Sequence, residues 1–383
     1  MKHKYKLLYI VFFISLGCNF LCVLPYYRFI SAKMQKLINP DDFNHLQANI
    51  SDSAYIKLVL EKSMQMDGSN YSTKEYHGLF SDLKAMKHKS HNETLDNPFN
   101  VGYLYAGLSY FALTDGQDKK SIVAYLEKVS ARYENIHHTG LTYHIDNVVQ
   151  IPFGLMYINL YKLTRKTKYL NISKSIYHQL LSLRLVGGQE IPYVLNTDFR
   201  YVDGLGMIVP FLMEYNELTG DTLAKSIAKY NIELIQKYCV DKETGLPHHG
   251  YNPKNYLKLG SANWGRGIGW YLLALSFYPD LIDSKTIESI SEMDYSQFPG
   301  QPYSVFDSST ALMFEIFKQR INVNRKPNIG LLKPHTTVSG MIDDCSGDTY
   351  SYNDYSHTMC KSEMCNGLFL MLVSKFSNSS NLR

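Results

Sequence analysis

The 383-residue chain is poor in charge, in tryptophan and in strand-like alternation, and each shortage excludes something. Charged residues make up 19%, and 39 Lys and Arg against 35 Asp and Glu leave a net charge of +4. The basic residues form no stripe. Lys119-Lys120 and Lys87-His88-Lys89 are short and read as solvated faces, so no nucleic-acid partner is expected. The six cysteines contain no C-x-x-C pair and no His-Cys cluster at zinc spacing, so no metal is expected. Cys239, Cys345, Cys360 and Cys365 read as buried thiols, with a disulfide among the last three as the alternative in an oxidising compartment. Alternating apolar and polar runs are scarce, which leaves an all-α chain.

What is abundant is apolar and aromatic. The chain is 45% hydrophobic, with 31 Tyr and 18 Phe beside only two Trp. Such aromatics suit a sugar-binding groove. At the N-terminus, Lys2, Lys4 and Lys6 precede an apolar run over 7–24. That pattern predicts a signal-anchor or transmembrane segment within residues 1–30, or a cleaved signal, with an extracytoplasmic domain behind it. Residues 31–100 read as a linker with outer helices, and 101–383 as one repeat-built domain.

Within that domain, apolar helices are expected over 103–114, 148–164 and 205–219, each ending on Leu-Thr. The stops at Thr114, Thr164 and Thr219 are 50 and 55 residues apart. After each stop comes an amphipathic helix, over 121–132, 169–183 and 223–238. Further apolar helices are expected over 267–278, 308–317 and 364–376. A helical hairpin that cannot bury its apolar member alone must stack on its neighbours. Six apolar helices surrounded by six outer ones predict an (α/α)6 toroid, with an open solenoid as the alternative.

In such a ring the inner helices run the same way, so their starts meet at one rim. Those starts bring Asp146, Tyr201, Asp203, Trp264, Arg266 and Asp307 together. Two carboxylates could share acid and base work on a glycan, because mutual repulsion keeps one protonated. A helix N-terminus opposes this by favouring the ionised form, and both Asp146 and Asp203 could simply cap helices. Gly204 and Gly206 argue for space beside Asp203. Trp264 and Trp270 flank three glycines and Arg266, offering stacking faces and a fork for a carboxylate; packing in the core is the other reading. His249, in the loop just before, is a candidate for touching substrate or tuning the acid. The segment 339–348 reads as a turn-rich, substrate-lining loop, with calcium binding by its Asp residues as the alternative.

At these residues the chain resembles glycoside hydrolase families 88 and 105, the unsaturated glucuronyl and unsaturated rhamnogalacturonyl hydrolases. The motifs are Asp146-Asn, Tyr-Val-Asp203-Gly-Leu-Gly-Met, His-His249-Gly-Tyr, Trp264-Gly-Arg-Gly-Ile-Gly-Trp-Tyr and Asp307-Ser-Ser-Thr-Ala-Leu-Met-Phe, over residues 100–376. The resemblance implies the six-hairpin barrel and hydration of the C4=C5 bond of a terminal unsaturated uronic acid. Asp203 would be the acid, assisted by Asp146, with His249, Arg266 and Trp270 around the substrate and no cofactor. The expected partner is a uronic-acid oligosaccharide or polysaccharide, met at a bacterial cell envelope through the N-terminal segment. The chain departs from the family at Tyr201, where a Trp is usual, and at Gly206, where an aromatic is usual, which implies a wider pocket. Two other readings stay open: a conventional glycosidase or lyase using both Asp, and a non-catalytic glycan-binding protein of surface polysaccharide assembly.

Overall fold

The computed structural model describes residues 44–47, 49–66, 98–114, 118–136, 145, 147–185, 188–193, 200–347, 349, 351–356 and 359–374. The N-terminal apolar run, most of the 31–100 segment, Asp146 and Asp348 lie outside the described residues. Among those described, no helix is long and apolar enough to cross a membrane.

Six helices form the inner ring: α2 (Pro98–Thr114), α4 (Phe153–Thr164), α6 (Asp203–Thr219), α8 (Gly265–Phe277), α10 (Ser308–Ile321) and α11 (Glu363–Val373). Each packs on the next, and α11 closes the ring against α2. They can stand inside because they are apolar on all sides. Every residue of α8 is buried, as are residues 363–372 of α11. Glycines make the closing seam: a Cβ on Gly107 would lie 2.0 Å from Gly367 O, and one on Gly367 would lie 2.1 Å from Tyr103 O. Backbone meets backbone there, and only glycine fits.

Outside stand α1 (Asp52–Gln65), α3 (Lys119–Ile136), α5 (Thr167–Ser182), α7 (Thr222–Tyr238) and α9 (Ser284–Glu292). They are amphipathic. In α7 the buried set Ala224, Ile227, Ala228, Asn231, Ile232 and Ile235 follows the three-and-four spacing of one helical face. The sixth outer helix expected from the repeat is absent among the described residues. A 3-10 segment, Ile329–His335, lies between α10 and α11 instead, with Pro334 inside it. A ring of proline-limited backbone cannot extend as an α-helix there. The expected helix over 148–164 is also divided. A 3-10 turn at Val148–Gln150 precedes Pro152, and α4 starts after that proline.

Because outer and inner helices alternate along the chain, the inner helices are parallel and their N-termini share one rim. At the other end two buried carboxylates are satisfied by neighbouring side chains. Glu214 accepts from the Tyr110 hydroxyl at 2.8 Å and from Lys162 Nζ at 2.6 Å. Glu315 receives both arms of Arg325 at 2.8 Å. At the N-terminal rim, Asp203 Oδ1, His249 Nε2 and Trp264 Nε1 are buried without a hydrogen-bond partner.

Candidate active site

A small antiparallel sheet builds the centre of that rim. Strand β1 (Arg200–Tyr201) pairs with β2 (Gly250–Tyr251), which pairs with β3 (Lys258–Leu259). The register puts Tyr201 opposite Gly250, and Val202 N donates to His249 O at 2.9 Å. β1 runs directly into α6, whose first residue is Asp203, and β2 begins directly after His249. One ladder therefore sets both side chains beside each other. His249 Nε2 stands 3.6 Å from Asp203 Oδ1.

Asp203 does not cap its helix. The cap residue is Val202, which makes no side-chain cap hydrogen bond. Asp307, the acid at the start of α10, is the contrast. It accepts from Ser309 N and from the hydroxyls of Ser309, Thr310 and Ser346, and Ser346 N adds a further bond. Asp307 is a structural clasp that ties α10 to strand β4 (Cys345–Ser346). Asp203 Oδ1 is buried with no hydrogen-bond partner, and so are His249 Nε2 and Trp264 Nε1. Buried polar atoms are rarely left this way. Three of them on neighbouring side chains mark a place where something else binds.

Aromatic rings enclose the pair. The His249 ring lies 4.3 Å from Trp264, 4.9 Å from Tyr201 and 5.5 Å from Tyr355 between centroids. Tyr352 covers Tyr201 at 4.5 Å, and Phe298 meets Tyr355 edge-on at 5.2 Å. This apolar box disfavours charge. Burial pushes the Asp203 carboxyl up to about 7, although the Arg266 guanidinium pulls the other way. Burial pushes His249 down to about 4. His249 Nδ1 faces Tyr352 O at 3.1 Å. A carbonyl only accepts, so Nδ1 carries the hydrogen and Nε2 turns a bare lone pair toward Asp203. Near neutral pH the site therefore keeps a large share of Asp203 protonated, against a neutral imidazole.

Arg266, in the first turn of α8, donates from Nη1 to Gly347 O at 2.6 Å and from Nη2 to Cys345 Sγ at 3.3 Å. Those two contacts make it a fixed positive charge beside Asp203. Trp270, one turn further along, sits in the interior with its ring 5.5 Å from Tyr103 and 6.2 Å from Phe99. A Cβ on Gly206 would come within 2.3 Å of Trp270 Cε3. The wider pocket expected at Gly206 is therefore not there, because the Trp270 ring occupies the space. Gly204 is less constrained, with Tyr193 at 3.7 Å as the nearest contact of its Cβ.

The structure thus brings Tyr201, His249, Trp264 and Arg266 to Asp203 and places Trp270 behind them. In the 339–348 loop, Asp344 pairs with His335 at 2.7 Å and Asp343 with His45 at 3.5 Å, which commits both carboxylates to histidines. The four described cysteines are free thiols, with Cys345 opposite Cys360 across β4 and β5 (Met359–Cys360). Sequence reasoning missed Tyr352 and Tyr355. Their signal was the aromatic density of Tyr350, Tyr352 and Tyr355.

Comparison with known proteins agrees with this fold. The family model described as Glycosyl Hydrolase Family 88 matches residues 71–296, more than half of the chain. A possible member of family GH105 from Klebsiella pneumoniae subsp. pneumoniae is 14% identical, with a TM-score of 0.65 over 86% of this chain and 94% of that one. An unsaturated glucuronyl hydrolase specific for heparin is 16% identical, with a TM-score of 0.58 over 85% and 97%. The fold also resembles an inactive variant of the α-1,6-mannanase GH76A of Salegentibacter sp. HEL1_6, 15% identical, with a TM-score of 0.56 over 85% and 99%. At these identities the likeness shows the fold alone, and the chemistry must come from the site.

Proposed function

The chain belongs to glycosyl hydrolase family 88, and from that premise we propose that it hydrates the C4=C5 bond of a terminal unsaturated uronic acid and so releases the next sugar. The observation that carries this reading is the neutral acid. The buried Asp203 carboxyl is pushed up to about 7 and its Oδ1 has no protein partner. A vinyl ether needs a strong proton donor at one carbon and water at the next, and one carboxyl that cycles between acid and carboxylate can serve both.

In this reading Asp203 gives its proton to C4, which becomes a methylene, and the positive charge at C5 is shared with the ring oxygen. The carboxylate left behind takes a proton from water as that water adds to C5. The hemiketal then collapses: the bond from C5 to the ring oxygen breaks, C5 becomes a ketone, and C1 opens to an aldehyde as the neighbouring sugar departs with a proton. Asp203 ends as it began. His249 Nε2 and the Trp264 Nε1–H are the remaining acceptor and donor beside it, suited to holding the water or a sugar hydroxyl. Arg266 stabilises the carboxylate formed after proton transfer.

The unsaturated uronyl group absorbs in the ultraviolet and loses that band on hydration. Lyase-generated unsaturated glucuronyl and galacturonyl disaccharides should lose absorbance with the wild-type enzyme and keep it with Asp203→Asn. No decay with any such disaccharide refutes the reading.

A further inference from the structure

Tyr352 comes from a segment far from the sheet in sequence, yet it contacts Arg200, Tyr201, His249 and Tyr251. We propose that Tyr352 is a positioning residue that fixes the tautomer of His249, and thereby keeps the site's proton on Asp203. This rests on reading Asp203 as the acid.

The backbone carbonyl of Tyr352 is the acceptor for His249 Nδ1–H at 3.1 Å. Its own side chain anchors that carbonyl. The Tyr352 hydroxyl accepts from Arg200 N at 3.0 Å and donates to Tyr251 O at 3.3 Å. Arg200 and Tyr251 are direct partners in the β1–β2 register. The hydroxyl therefore docks on the same ladder that sets Asp203 through Val202 and His249 through Gly250. The Tyr352 ring lies over Tyr201 at 4.5 Å, which adds a second attachment. The charged and titratable groups around His249 are Asp203 on α6, Tyr201 on β1, Tyr355 on the 351–356 segment and, through Asp203, Arg266 on α8.

The tautomer matters because of what Asp203 meets. With Nδ1–H fixed on the Tyr352 carbonyl, the bare Nε2 can only accept, which favours a protonated carboxyl. With the hydrogen on Nε2, the ring would donate to Asp203 and favour the carboxylate, which cannot protonate C4. A tautomer choice thus becomes a choice of acid strength.

Tyr352→Phe keeps the ring over Tyr201 and removes both hydroxyl bonds. Nitrogen-15 NMR of the His249 ring, recorded without substrate, reads the tautomer, and the pH profile of kcat/KM reads the acid. The wild type should show the Nδ1–H form alone. Tyr352→Phe should show a mixture, a kcat about tenfold lower with KM nearly unchanged, and an alkaline limb moved to lower pH. A wild-type ring protonated on Nε2 overturns the proposal. So does a folded Tyr352→Phe with the wild-type tautomer and limb. If the wild type turns over no unsaturated uronyl substrate, the Asp203 reading fails while the ring signals still judge Tyr352.

Discussion

Replacing Asp203 by Asn should stop turnover and stabilise the protein, by an amount that depends on pH. Burial raises the carboxyl from its ordinary 3.8 to about 7. At about 1.36 kcal/mol per pH unit, that difference corresponds to about 4 kcal/mol. The sign depends on which state ionises first. Below the unfolded value of 3.8 the carboxyl is protonated in both states, and nothing is lost. Between there and about 7 the unfolded chain gains by ionising while the folded chain keeps its proton, so stability falls steadily. Above about 7 both are ionised and the loss is complete. Asn does not titrate, and its amide can donate to His249 Nε2. Its advantage over Asp should therefore grow by about 4 kcal/mol between pH 4 and pH 8. With an unfolding entropy of about 2.1 cal/mol/K per residue over 383 residues, that is a melting-temperature gap widening by about 5 °C. Calorimetry of both proteins across that range is the assay. A gap that stays constant with pH would mean that Asp203 titrates like a surface carboxyl, and the argument for a neutral acid would fall with it.

Two further substitutions test the surroundings of the acid. Arg266→Met removes a positive charge that holds Asp203 down, so the alkaline limb of kcat/KM should move to higher pH as turnover falls; an unmoved limb refutes the electrostatic link. Gly206→Ala forces a methyl to within 2.3 Å of the Trp270 ring unless α6 shifts, and should destabilise by about 1–3 kcal/mol in denaturant unfolding, while wild-type stability would show that the contact relaxes freely.

The ring was legible because its signals are local. Inner helices are apolar all round, and their Leu-Thr stops have a physical cause. The Thr164 and Thr219 hydroxyls each return to the carbonyl four residues back, at 2.7 Å, and Thr114 to Phe111 O at 3.1 Å. A threonine that satisfies the last turn repeats wherever the same hairpin repeats. The position beside α10 and α11 was not legible, since nothing in one hairpin requires its neighbour to be α-helical. Trp270 carried two readings for a related reason. A tryptophan near glycines reads as an open stacking face, but the space beside Gly206 was already filled by that same ring. Tyr352 and Tyr355 were missed because a loop's place on a rim depends on tertiary pairing, which periodicity does not carry.

The proton on the acid has a cause that the sequence did not name. From sequence, repulsion within a pair of carboxylates was to keep one of them protonated, against a helix N-terminus that favours the ion. Among the described residues, which do not include Asp146, no carboxylate raises Asp203; burial is the largest cause, and Arg266 opposes it. A helix N-terminus contributes about 0.3–1 kcal/mol toward the ion, and up to about 2 in partly buried geometries. Burial outweighs that and the guanidinium together, because Asp203 is enclosed where Asp307 is solvated by the protein. Asp307 sits on the same rim with backbone and hydroxyl donors on both oxygens. Together those donors leave Asp307 no free oxygen to turn toward a substrate. The two helix-start acids differ in the residues just after them: Ser-Ser-Thr supplies hydroxyls to Asp307, whereas Gly-Leu-Gly supplies none to Asp203. An aspartate at a helix start becomes an acid where the chain withholds the donors that would cap it and surrounds it with rings instead.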